Sequence, residues 1–132
     1  MTPAPPPIIV QHGTTLKRAR DIAARGPDPH YVEPGSGGRR WDPPGFSTAR
    51  MDRPCVVGTP EQYARLKAAN FPNEGGPAIL EIEVPADIIA LLEADADARD
   101  SMDSGDTLFD PRVGMPELLA AWPHLTKRVI PI

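Results

Sequence analysis

The sequence predicts an α+β domain, and three observations carry that prediction. An apolar, β-branched run from Ile8 to Gln11 passes within four residues into a segment of helical period. A second run, Ala78 to Val84, alternates strictly. Eighteen prolines and eleven glycines among 132 residues keep every element short. A chain of this length has room for one domain, burying roughly two thirds of the surface of its unfolded form. It divides into a proline-rich arm, residues 1–7, and a single domain over residues 8–132.

The arm cannot be helical and leads extended into the first strand, Ile8 to Gln11. Thr15 to Arg25 follows as a helix, with Leu16, Ala19, Ile22 and Ala23 on one face, and Gly26-Pro27 ends it. Residues 27–44 have no periodicity and read as a long loop, a length that compact domains keep for function or leave disordered. Gly45 to Ala49 is a short strand. Thr59 caps a second helix with Pro60 at its first position, and Tyr63, Leu66, Lys67 and Asn70 share a face. In the strand Ala78 to Val84, Ile79, Glu81 and Glu83 point one way and Leu80, Ile82 and Val84 the other. Ala86 to Asp95 is then helical, residues 96–112 form an acidic surface loop, Pro116 to Trp122 makes one or two helical turns, and Lys127 to Ile132 is a terminal strand.

Charge and composition narrow the function. Fourteen Lys and Arg against eighteen Asp and Glu give a net charge of -4, so strong nucleic-acid binding is not expected. The charge is uneven. Eight of the basic residues, Lys17, Arg18, Arg20, Arg25, Arg39, Arg40, Arg50 and Arg53, fall in residues 17–53, whereas the charge of residues 93–110 is dominated by acids, so the first half is suited to an anionic ligand or is simply a solvated basic face. Cys55 is the single cysteine, which excludes an internal disulfide and suits a reducing compartment; as a residue type it favours a small buried hydrophobe. Apolar runs such as Ile88 to Leu92 fall far short of the ~20 residues of a membrane span, and no leader-like segment opens the chain. A soluble cytoplasmic protein without membrane partners is expected. His30 and His124 have no second ligand at metal spacing, and the acidic run "EADADARDSMDSGD" lacks the order of a calcium loop, so no metal is expected.

The junction His12-Gly13-Thr14-Thr15 is where chemistry concentrates. It sets an imidazole, two hydroxyls and a glycine backbone at the end of a strand, where Gly13 permits close approach of a planar ligand and its N–H and C=O suit an amide. The plain alternative is a capping threonine beside a satisfied histidine.

"HGTT" at a strand end, an amphipathic helix closed by glycine, a Gly/Pro loop, "GFSTA", "EQYARLKAA" and "AILEIEVP", in this order, resemble the ADP-ribosyltransferase-like fold. That group comprises bacterial toxins, eukaryotic mono- and poly-ADP-ribosyltransferases and related NAD-using domains. The resemblance covers residues 8–85 and, more faintly, the rest. It implies a single-domain split β-sheet core with peripheral helices, and NAD as substrate. His12 would bond a ribose and Gly13 the nicotinamide amide, with Thr14 adjacent. Phe46, Ser47 and Thr48 would line the nicotinamide side, and Tyr63 would complete the stack. Arg39 and Arg40, with Trp41, would cover the pyrophosphate.

The family's catalytic glutamate stands at the start of a late strand, where a carboxylate stabilises the oxocarbenium-like state. Here that strand begins Thr126-Lys127-Arg128, without an acid. Glu81, Glu83 and Glu117 are the candidate carboxylates; the ordinary readings are a salt-bridged strand face for the first two and a helix N-terminal acid for the third. Whether the chain is an enzyme therefore stays open. The reading is an NAD-binding, toxin-like protein that transfers ADP-ribose to a macromolecular or small-molecule acceptor. The alternatives are a catalytically degenerate binding module on the same scaffold and an RNA 2′-phosphotransferase-like NAD-using enzyme, for which Arg18, Arg39 and Arg40 are available.

Overall fold

The computed structural model describes residues 5–31, 33, 46–52, 59–93, 106–109 and 111–132. In chain order the elements are β1 (Ile8–Thr15), α1 (Leu16–Arg25), β2 (Phe46–Arg50), α2 (Pro60–Asn70), β3 (Pro77–Val84), α3 (Ala86–Leu92), β4 (Asp106–Phe109), α4 (Met115–Ala121), a 3-10 turn (Trp122–His124) and β5 (Lys127–Pro131). Among the described residues the strands make one antiparallel sheet in the order β4-β2-β1-β3-β5, so the domain is α+β.

β1 runs four residues beyond the expected Gln11. His12 and Gly13 are poor strand formers by composition, yet pairing with β3 is continuous from Ile8↔Val84 to Thr15↔Pro77, and the ladder overrides local preference. Thr15 closes the strand and caps α1, its hydroxyl accepting from the Arg18 amide at 3.3 Å. α2 opens with a full capping box: the Thr59 hydroxyl accepts from the Gln62 amide, and the Gln62 side chain accepts from the Thr59 amide.

Two expectations need correction. Residues 106–109 lie within the stretch read as an acidic loop but form β4, the edge strand on β2, with Phe46 opposite Phe109 and Phe109 wholly buried. The buried stripe of α2 is Pro60, Ala64 and Lys67; Leu66 is exposed, as is Asn70. Small residues face inward because α2 rides directly on Gly13, where an added Cβ would lie 1.9 Å from the Pro60 carbonyl oxygen.

The two faces of the sheet differ. Register places Val10, His12 and Thr14 on the same face as Ile82, Leu80 and Ala78, against the core that includes Ala19, Leu118 and Trp122. Gln11, Glu81 and Arg128 form a cross-strand row on the opposite face. No helix among the described residues is long and apolar enough to cross a membrane.

Candidate functional site

β1 and β2 part immediately after Gln11. Their pairing consists of Val10↔Arg50 and Gln11↔Ala49, with the Met51 amide donating to the Ile9 carbonyl at 2.9 Å. Alternate residues of a strand turn their N–H and C=O toward the same neighbour, so Ile9, Gln11 and Gly13 all present their amide edges to β2. At Gly13 the β2 ladder has ended. β2 itself continues on the other side, paired with β4 as far as Phe46↔Phe109. The gap is therefore bordered by His12, Gly13 and Thr14 on one strand and Phe46, Ser47 and Thr48 on the other.

Side chains fill the junction. His12 is 5% exposed, and its Nδ1 donates to the Ser47 carbonyl at 2.6 Å, because a carbonyl can only accept. This bond takes the place of a ladder bond where the strands separate. The other ring nitrogen lies 3.0 Å from Oε2 of Glu33, within hydrogen-bonding range. The Thr14 hydroxyl donates to the second Glu33 oxygen, and Lys67 Nζ stands 3.1 Å from that same atom. Lys67, 4% exposed, also donates to the Gly13 carbonyl at 2.7 Å. Arg18, from α1, grips Glu74 at 2.9 Å and 3.0 Å through Nε and stacks on Phe71, while its Nη1 lies 3.9 Å from Glu33.

Two titrating groups are displaced by this packing. Burial alone would push the Glu33 carboxyl up. The hydrogen bond and charge of His12, the Lys67 ammonium and the Thr14 hydroxyl outweigh it and hold the carboxyl well below the usual carboxylate range. Burial lowers Lys67, against the opposing pull of Glu33. The site is thus a desolvated carboxylate enclosed by cationic and hydroxyl donors, suited to holding an anion in a fixed place. Among the described residues no group of three His, Cys, Asp or Glu is placed to hold a metal ion.

The structure brings His12, Gly13, Thr14, Ser47 and Thr48 to one place. Phe46 is there too, but its ring is enclosed by His12, Phe109 and Trp122, so it backs the imidazole from within the core. Tyr63 is half-buried on α2, one turn before Lys67. The candidate acids do not join them. Glu81 takes hydrogen bonds from Gln11 and Arg128 on the opposite sheet face, Glu83 shares that face, and Glu117 is exposed in the first turn of α4. Arg39, Arg40, Trp41 and Cys55 lie outside the described residues.

Sequence reasoning missed Glu33, the ligating role of Lys67, and Glu74. A lysine on the otherwise inward face of α2 was the one signal available; Glu33 stands in a stretch with no periodicity to place it. No family model, curated protein or solved structure matches the chain.

Proposed function

We propose that the domain binds NAD or a related nucleotide at the parting of β1 and β2, in the manner of the ADP-ribosyltransferase-like fold, and hands ADP-ribose to a macromolecular or small-molecule acceptor. The observation that carries the reading is the parting itself. Among the described residues it leaves the peptide edge of Gly13, whose carbonyl holds Lys67, without a β2 partner, with His12 and Thr14 on one strand and Ser47 and Thr48 on the other. A carboxamide is the ligand group that pairs with a peptide edge: its oxygen accepts from an N–H, and its NH2 would share the Gly13 carbonyl, which has two lone pairs, with Lys67.

Binding is the better supported half of the proposal. Glu81 and Glu83 lie on the opposite face from His12, and Glu117 is exposed, which favours as second reading a binding module that keeps the scaffold without transfer. Thermal unfolding with millimolar NAD tests the first half. NAD should raise the Tm of the wild type, as any ligand selective for the folded state does, and should not raise that of His12→Ala. No shift in a folded wild type refutes the reading. Labelled NAD with cell lysate tests the second half: transfer abolished by Glu81→Gln, Glu83→Gln or Glu117→Gln identifies an enzyme and its acid, and absence of transfer or nicotinamide release identifies the module.

A further inference from the structure

The carboxylate of Glu33 is surrounded by more donors than it uses. His12 Nε2, the Thr14 hydroxyl and Lys67 Nζ address its two oxygens at hydrogen-bonding range. Arg18 Nη1 is aimed at the same group from 3.9 Å, too far for a hydrogen bond, and that nitrogen is buried with no hydrogen-bond partner among the described residues. A buried guanidinium donor without an acceptor costs free energy, and a two-oxygen carboxylate cannot reach it while serving the other three. A tetrahedral anion can.

We infer that His12, Thr14, Arg18 and Lys67 form a phosphate-binding site, which the chain fills in this structure with its own Glu33 carboxylate. The donors come from β1, α1 and α2, elements locked into the sheet and its helical cover, and they hold their positions through contacts of their own. Lys67 is anchored on the Gly13 carbonyl, His12 on the Ser47 carbonyl and Arg18 on Glu74. Glu33 belongs to neither helix nor strand, so its side chain can leave without breaking either. A phosphate seated there presents one oxygen to His12, one to Thr14 and Lys67, and a third to Arg18 Nη1, satisfying the donor the carboxylate leaves unpaired. A guanidinium and an ammonium beside a group of this charge favour a phosphate over a neutral ligand.

Isothermal titration with inorganic phosphate tests the site directly. Phosphate carries neither nicotinamide nor ribose, so the result is independent of whether NAD binds. Glu33→Ala should bind phosphate about tenfold more tightly than the wild type, in which the carboxylate competes for the same charge-assisted bonds. Glu33→Ala/Lys67→Met should lose that gain. If Glu33→Ala does not fold, Glu33→Gln is followed by thermal unfolding, and phosphate should raise its Tm more than chloride at equal ionic strength does. Acetate serves as the two-oxygen control and should bind Glu33→Ala more weakly than phosphate. Phosphate affinity unchanged by removing Glu33, indifference to Lys67, or acetate binding as well as phosphate would each overturn the inference.

Discussion

Lys67 and Glu33 show how a residue acquires a role that its own neighbourhood in the sequence does not announce. An ammonium that is 4% exposed is held by one backbone carbonyl and one carboxylate. Removing one member of a buried pair leaves the other charge uncompensated, which typically costs 3–5 kcal/mol, roughly, whereas exposed pairs contribute little. Lys67→Met should therefore lower the free energy of unfolding by about 3 kcal/mol in urea titration, while Arg65→Ala, which breaks the exposed i,i+4 pair with Glu61, should change it by less than about 0.5 kcal/mol. Equal effects would contradict the burial argument. Acid should act through the same cluster. The Glu33 carboxyl is held below its unfolded value, so its contribution is complete above the unfolded carboxyl range near ~4 and is lost as pH falls below it. Glu33→Gln should flatten the fall of stability on acidification; an unchanged slope would place the acid sensitivity elsewhere. His12 and Thr14 were legible as candidates because a histidine and hydroxyls at a strand end are unusual. Glu33 was not, since pairing across sequence separations of 21 and 19 residues leaves no local period.

At the scale of elements, the approach of α2 to β1 decides what Gly13 is for. The sequence suggests a glycine kept bare for a ligand, and the structure sets the Pro60 carbonyl and the Ala64 amide over it on one face, with its amide edge turned to the gap. These are compatible, because the Cβ direction and the peptide edge are roughly perpendicular in a strand. A methyl group at 1.9 Å from a backbone oxygen must displace the helix. Gly13→Ala should cost about 3 kcal/mol or more in equilibrium unfolding, at the upper end of overpacking penalties, and should carry Lys67 away from the Gly13 carbonyl. A near-neutral Gly13→Ala would mean that α2 is not seated as described. Elements with strong local signals, α1, α2 and β3, were legible from capping, proline placement and alternation. β4 was not: four residues in an acidic stretch gain strand character only from pairing with β2, and the one local hint is the buried Phe109.

The whole molecule is a sheet whose central strand has one long partner and one short one. β1 is paired with β3 along all eight residues and with β2 through two, so the β2-β4 edge diverges exactly where the chemistry-bearing residues begin. That divergence is a property of tertiary pairing, and no residue in "HGTT" or "GFSTA" encodes it singly. An α+β class was legible because the alternating and helical periods are both present. A split sheet was expected only through resemblance; among the described residues the five strands form one sheet, and the parting of β1 from β2 is a local feature of it. The most direct measurement is a titration of isotopically labelled protein with NAD, followed through backbone amide resonances. The account predicts progressive shifts of the Gly13 and Ser47 amides, smaller ones along α2, and none at Arg128 and Val129 on the distant edge strand. Amides of Gly13 and Ser47 that stay in place at millimolar NAD, or shifts confined to that far edge, would contradict it.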